Sequence, residues 1–354
     1  MIWISYILAI KVDPGSPPKN FQPNHGEWRR WCKICKNYKP ERTHHCKTCK
    51  KCVLKMDHHC PWTYSCVGHR NVPHFMRFLI WVVFTTGYTL FELTKRIVDY
   101  FHNRELPSYL IDKKEVVAVL VLWPLDFFVF LTITLLLIRC LINLVFRGMT
   151  QIEVWEKERL ESQFHTTRFW IRLRRNYFKV HGKHMPKLTS WTAGTNYVEL
   201  DNISSDEETN NDIQDDIDVE SSSDVVPDNF TIDDIVFPYD NGIWSNVVSA
   251  CGYPWMWLLP WGGPRTSGYH FIKNDQLEDQ LDLPWPPDGG DQGEVEEQSS
   301  SAQPGNYRDK RSRLKRTEWF NDMGESLADF GVDLDAEDED NDDIVQPSRS
   351  RSSS

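Results

Sequence analysis

One pattern, C-x2-C-x9-H-x6-C, occurs twice between residues 32 and 66, the second copy starting fourteen residues after the first. Cys32, Cys35, His45 and Cys52 form one set. Cys46, Cys49, His59 and Cys66 form the other, so the two interleave. Zn²⁺ takes four nitrogen or sulfur ligands, and a structural site is closed by protein ligands alone. Two sets of three cysteines and one histidine therefore predict two structural zinc ions, with an iron–sulfur or redox role as the alternative. Because ligation energy becomes folding energy, metal binding also lets 35 residues with few aliphatic side chains fold.

The two sets use six of the seven cysteines in this stretch and leave Cys60, within Asp57-His58-His59-Cys60. A thiol beside a histidine is a nucleophile in waiting, because the imidazole takes its proton and the imidazolium lowers its pKa. A carboxylate beside that histidine fixes its tautomer. One reading makes Cys60 the nucleophile, His58 its base and Asp57 the orienter. The other makes Cys60 a ligand as well, with one histidine displaced. The repeat weighs against the second, since Cys60 aligns with Cys46, already a member of the second set. The equivalent string Thr43-His44-His45-Cys46 carries no carboxylate.

The surrounding chain places this chemistry at a membrane. Residues 78–91 are uncharged, and residues 116–138 are apolar except for Asp126. A span needs roughly 20 residues, so the first run must borrow flanking positions; a buried core helix is the competing explanation for either run alone. Residues 11–77 hold fourteen Lys/Arg against four Asp/Glu, which puts the cysteine-rich block on the cytosolic side. Seven of nine cysteines at metal spacings agree with a reducing compartment, and Cys140 and Cys251 stand alone. Residues 201–234 hold thirteen Asp/Glu and no Lys/Arg, so the net charge of −11 is an average over unlike blocks and argues neither for nor against nucleic acid. No nucleic-acid partner is expected. Met1–Ile10 reads as half of a span, which leads to the expectation that a membrane segment precedes it.

The expected fold is an α-helical polytopic membrane protein with a small cytosolic cysteine-rich domain between spans, its two zinc sites carried on short β-hairpins. The expected organisation is a remnant of a transmembrane helix at 1–10, the zinc domain at 11–74, spans at 75–95 and 116–146, and a lumenal loop at 96–115. A cytosolic region at 147–200, an acidic disordered linker at 201–235, a C-terminal cytosolic region at 236–290 and a largely disordered tail at 291–354 follow. Within 151–180, Trp155, Leu160, Phe164 and Phe169 are candidate apolar contacts of a helix that is either solvated or laid on the membrane. Trp257–Trp261 is too short to span but could dip into the interface.

The string CKICKNYKPERTHHCKTCKKCVLKMDHHCPWTYSCVG closely resembles the cysteine-rich domain of the DHHC protein S-acyltransferases. Asp13-Pro14-Gly15 resembles that family's DPG motif. Thr150-Gln151-Ile152-Glu153 resembles its TTxE motif, with Gln151 in place of the second threonine. Asn246 resembles the asparagine of its C-terminal motif. The segments LPWPPDGG and EWFNDMGESLADFGVDLD resemble the tail of one fungal subgroup, the protein fatty acyltransferase 4 type. Thr63-Tyr64-Ser65 departs from the family, where that stretch usually ends in asparagine. The family has four spans with both termini cytosolic.

The resemblance implies a two-step transfer of a long acyl chain from acyl-CoA, through an acyl-Cys60 intermediate assisted by Asp57 and His58, to cysteines of membrane proteins. It implies two structural Zn²⁺, acyl-CoA (palmitoyl-CoA) as co-substrate, contact with the lipid bilayer and residence in the endoplasmic reticulum membrane, with the zinc domain and C-terminus cytosolic. Basic residues of 11–77 are candidates for the CoA phosphates, with membrane topology as the competing reason for their charge. Two other classes stay open: a tethered zinc module that binds a partner without chemistry, and an inactive relative acting as a scaffold. A thioester on Cys60 separates both from the enzyme.

Overall fold

The computed structural model describes residues 1–24, 27–105, 107, 112–185, 235–257, 262–264, 266–274, 281–290 and 314–338. The 201–234 acidic run and residues 258–261 lie outside them. Helix α1 (Ile2–Lys11) leads through Asp13-Pro14-Gly15 into three hairpins. These are β1 (Trp31–Cys32) with β2 (Asn37–Tyr38), β3 (His44–Cys46) with β4 (Lys51–Val53), and β5 (His58–Cys60) with β6 (Ser65–Val67). Each turns through one residue of positive φ: Lys36 (49°), Lys50 (53°) and Tyr64 (51°). Those residues are fourteen apart, so the repeat in the sequence is a repeat in backbone conformation.

Two long helices follow, α2 (Val72–His102, 31 residues) and α3 (Lys113–Leu141, 29 residues), the latter running on into a π-helical turn at Ile142–Phe146. Pro73 sits in the first turn of α2, where its missing N–H is not needed. The most apolar stretch of each has only 17% and 6% of its residues buried, which a core helix of a soluble protein would not tolerate. The helices pack where Gly87 lets the Phe130 ring approach, 3.1 Å from where a Cβ would stand. Their far ends are tied by Arg96–Glu115 at 2.7 Å and by Trp123 Nε1 donating to Thr94 Oγ1 at 2.9 Å. Helix α2 thus runs beyond the expected boundary at 95, because its polar last turns pair with one another and with α3.

After the spans come α4 (Gln151–Gln163) and α5 (Thr167–His181). Trp155, Leu160, Phe164 and Phe169 are all buried, so these helices are neither solvated nor laid on a surface. They pack against the zinc hairpins and against returning segments of the C-terminal region. One such segment, 281–290, buries Asp288 in a bidentate pair with Arg159 at 2.8 and 2.9 Å. Helix α6 (Ile243–Cys251) lies on the π-helical turn. Residues 314–338 of the tail, expected to be largely disordered, are packed too. Trp319, Leu327, Phe330 and Val332 share a core with Met56, Ile152 and Trp155, and β7 (Glu337–Asp338) pairs with β1.

Candidate active site

Hairpin register brings each four-residue set to a point. In the first set, His45 Nδ1 lies 3.4, 3.4 and 3.7 Å from the sulfurs of Cys32, Cys35 and Cys52. In the second, His59 Nδ1 lies 3.6, 3.4 and 3.6 Å from those of Cys46, Cys49 and Cys66. Zinc bonds of ~2.3 Å to sulfur and ~2.05 Å to nitrogen at a tetrahedral angle require an edge of about 3.6 Å, so both sets fit the ion. The structure keeps these eight residues together and leaves Cys60 out of either set.

The first two cysteines of each set sit on one tight turn. The Cys35 amide donates to Cys32 Sγ and the Cys49 amide to Cys46 Sγ, both at 3.3 Å. The third hairpin repeats this knuckle with Cys60 in the first position and Thr63 in the second. Thr63 is buried, and its hydroxyl donates to the Cys60 carbonyl at 3.4 Å. Its polar groups near the Cys60 sulfur favour the thiolate. Cys60 is thus a knuckle thiol outside both Cys₃His sets.

Asp57 and His58 complete the arrangement. His58 Nδ1 lies 2.7 Å from Asp57 Oδ2, and the imidazole in turn interacts with the Cys60 thiol. Burial alone would lower the His58 pKa, but the Asp57 and Cys60 interactions outweigh it and raise it to about 9. Burial alone would raise the Cys60 pKa, but His58 and Thr63 bring it down to about 7. Between those values the pair is thiolate and imidazolium.

The motifs outside the hairpins hold this site in place. Thr150 caps α4 in a capping box with Glu153: Glu153 N–H donates to Thr150 Oγ1 at 3.3 Å, and Thr150 N–H to Glu153 Oε2 at 2.8 Å. The freed Gln151 N–H at the helix start then donates to Asp57 Oδ1 at 2.9 Å. A backbone group makes that contact, so glutamine serves where the family has threonine. The other face of Glu153 takes two bonds from Arg42 at 2.5 Å. Burial works against its charge, but Arg42 holds its carboxyl below the usual carboxylate range. Arg42 also donates to the Gly148 carbonyl at 2.8 Å and is packed over the rings of Phe237, Tyr239 and Phe271.

Asp13 Oδ1 accepts from Gly15 N–H at 2.8 Å, while its second oxygen meets Lys51 Nζ at 2.5 Å. Pro14 and Gly15 carbonyls accept from Arg70 and Leu54 amides, both at 3.1 Å, which ties the chain after α1 to the ends of the second and third hairpins. At φ 100°, with Leu54 3.0 Å from where a Cβ would stand, position 15 needs glycine. Asn246, buried on α6, donates to the Val145 carbonyl at 3.1 Å and to Asp240 at 2.8 Å, answering an orphan carbonyl of the π-helical turn. Asp13, Pro14, Gly15, Thr150, Glu153 and Asn246 therefore brace the site and stand apart from its reacting groups.

Arg42 and Asn71 escaped the sequence reading. Asn71 accepts from Gly68 N–H and donates to the Ala9 and Cys66 carbonyls, at 2.8, 3.1 and 2.8 Å, joining α1, the second metal set and the start of α2. Its position two residues before Pro73 was the available signal. Arg42 had none beyond being a charged residue in a dense block.

Two interleaved Cys₃His sets beside a thiol–imidazole–carboxylate group, at the head of apolar helices, define a class of membrane acyltransferase. Residues 25–158 match the family model described as DHHC palmitoyltransferase, and the chain belongs to this family of protein S-acyltransferases. Palmitoyltransferase PFA4 of Debaryomyces hansenii is 58% identical over 98% of this chain and 86% of its own length. Palmitoyltransferase PFA4 of Candida albicans is 44% identical over 95% of this chain and 89% of its own. That of Saccharomyces cerevisiae is 41% identical over 95% and 87%.

Proposed function

We propose that Cys60 carries the acyl group between a long-chain acyl-CoA and the cysteines of membrane proteins. One observation carries this reading: the third knuckle holds a thiol that neither metal set uses, two residues from an imidazole that Asp57 orients at 2.7 Å. The Cys60 thiolate attacks the thioester carbonyl of acyl-CoA. The C–S bond to CoA breaks, the CoA sulfur takes the proton held by His58, and a Cys60 thioester remains. A client cysteine then gives its proton to His58, attacks that thioester and releases the Cys60 thiolate. Asp57 keeps His58 aimed and stabilises its imidazolium through both halves.

The surroundings of Cys60 support a long chain as cargo. Its apolar neighbours are Ala9 of α1, Val72, Phe75, Met76 and Leu79 of α2, and Leu137 and Cys140 of α3. A chain leaving Cys60 along these helices gains about 0.8 kcal/mol for each CH₂ buried. The exposed tip residues Trp62 and Tyr64, with Tyr6 of α1 donating to the Trp62 carbonyl at 3.0 Å, suit the membrane interface, where clients present their cysteines. The two Cys₃His sets hold structural Zn²⁺, and basic residues of the 11–77 block serve the CoA phosphates. The endoplasmic reticulum membrane, with the zinc domain and C-terminus cytosolic, is the location this reading assigns; the Lys/Arg excess supports the orientation.

The test is metabolic labelling in yeast membranes with an alkyne palmitate, comparing the chain with its Cys60→Ala variant. A hydroxylamine-labile label confined to the unaltered chain is expected. No such label, with both metals bound, would leave a scaffold in place of an enzyme.

A further inference from the structure

The tail block contains the motif that the proposed chemistry leaves unused, and its placement gives it a role. Residues Phe330–Asp333 run between two hairpins and bond to both. On one side His59 N–H donates to the Phe330 carbonyl at 2.8 Å. On the other, Lys47 N–H donates to the Gly331 carbonyl at 3.0 Å and Asp333 N–H to the His45 carbonyl at 2.8 Å, with Val332 bridging Cys46. Further on, Lys33 N–H donates to the Ala336 carbonyl at 2.9 Å, and Cys32 pairs with Glu337 in β7. One continuous segment thus engages the backbone of all three hairpins, including both metal-set histidines.

The fit is specific. Gly331 has φ 84°, and a Cβ there would stand 2.5 Å from His59 Cβ, so only glycine lets the segment come this close to β5. The segment is also anchored beyond the hairpins. Trp319 packs edge-on to Trp155, ring centroids 4.8 Å apart, and its Nε1 donates to Ser162 Oγ at 2.9 Å. Trp155 Nε1 donates to the Glu325 carbonyl at 2.9 Å, and the Glu325 carboxylate pairs with Arg139 near the end of α3 at 3.4 Å.

We infer that residues 314–338 are an intramolecular strap that positions the Cys60 strand for acyl transfer, joining the hairpins, α4 and the end of α3 into one frame. A three-residue hairpin is marginal alone. β6 satisfies one edge of β5, and the strap satisfies the other. His59 is flanked by His58 and Cys60, so a shift of its backbone moves both reacting atoms. The Phe330–Gly331 stretch is therefore a positioning element, docked on β5 through the backbone bond from His59 and held by Phe330 in the core shared with Met56 and Trp155. It binds through its own residues, so a separate peptide of the same sequence can take its place.

This inference rests on Cys60 being the acylated residue, and the experiment separates the two. The full chain is purified as wild type, Cys60→Ala, Gly331→Val and Met323→Ala, the last an exposed strap residue. A further variant lacks residues 314–354. Acylation by palmitoyl-CoA is timed with bound zinc measured in parallel, with and without excess synthetic peptide 314–338. Gly331→Val and the deletion should be acylated on the order of ten- to a hundredfold more slowly, the scale of misplacing a reacting group by about an ångström. The loss should fall on the maximal rate, with KM for palmitoyl-CoA unchanged. The peptide should restore the rate, a peptide carrying Gly331→Val should not, and Met323→Ala should match wild type. Wild-type rates in either strap variant would overturn the inference, as would slow acylation that the peptide leaves unchanged. Equal labelling of Cys60→Ala and wild type would instead overturn the Cys60 reading, whatever the strap does.

Discussion

The second and third knuckles are built alike and put to opposite use. Each places a cysteine first on a tight turn, follows it three residues later with the second knuckle residue, Cys49 or Thr63, and closes through a residue of positive φ, Lys50 or Tyr64. In the second, Cys49 joins Cys46, and the next hairpin adds His59 and Cys66, so the thiols converge. In the third, Thr63 stands where Cys49 would. No hairpin follows to complete a set, and the chain enters α2. The same turn that prepares a thiolate for a metal here prepares one for His58. A metal knuckle becomes a nucleophile site through the loss of one sulfur and the gain of one carboxylate, Asp57.

Substitutions test how far the two knuckles differ. Cys60→Ala removes the only sulfur of the third knuckle and should abolish the acyl-enzyme while leaving two zinc ions per chain, read by metal analysis of the purified protein. Cys46→Ser acts on the second knuckle and should cost more than its own metal. β3 carries His45 of one set and Cys46 of the other, so zinc content should fall below one per chain and transfer activity should vanish with the fold. Retention of one tightly bound zinc would show the sets to be independent.

His58→Ala should lower the acylation rate by about 10²–10⁴, the usual worth of a positioned acid–base, at unchanged zinc content. It should also shift the pH dependence. With Cys60 depressed to about 7, the rate rises with pH through that value; without His58 the thiol loses a stabilising neighbour, and the rise moves to higher pH. Arg42→Met leaves the buried Glu153 carboxylate uncompensated, which should cost about 3–5 kcal/mol and appear as a large drop in Tm. Thr63→Val keeps the shape of the third knuckle and removes one hydroxyl. Losing a hydrogen bond of about 1 kcal/mol should slow acylation below neutral pH roughly fivefold, measured as initial rate against pH.

Spacing alone made the hairpins readable. The fourteen-residue offset placed all eight metal-set residues and isolated Cys60, because short-range turns fix where those side chains go. The two long helices were likewise visible as apolar runs. What stayed hidden depends on contacts far apart in sequence. Arg42 meets Glu153 across more than a hundred residues, and nothing near either position marks the pairing. The strap reaches the hairpins from almost three hundred residues away. It does so mostly through backbone bonds, which leave no periodicity to detect, and β7 is only two residues long. Asn246 and Thr150 were found through family motifs; their reasons, a π-helical carbonyl and a capping box that frees the Gln151 amide for Asp57, emerge from the geometry.

The most direct test of the difference between the knuckles is to incubate the purified chain with palmitoyl-CoA, then map acyl adducts cysteine by cysteine while counting bound zinc. The account predicts a hydroxylamine-labile adduct on Cys60 alone, forming faster as pH rises through about 7, with two zinc ions retained. An adduct on any of the six metal-set cysteines, or Cys60 found bound to metal, would contradict it.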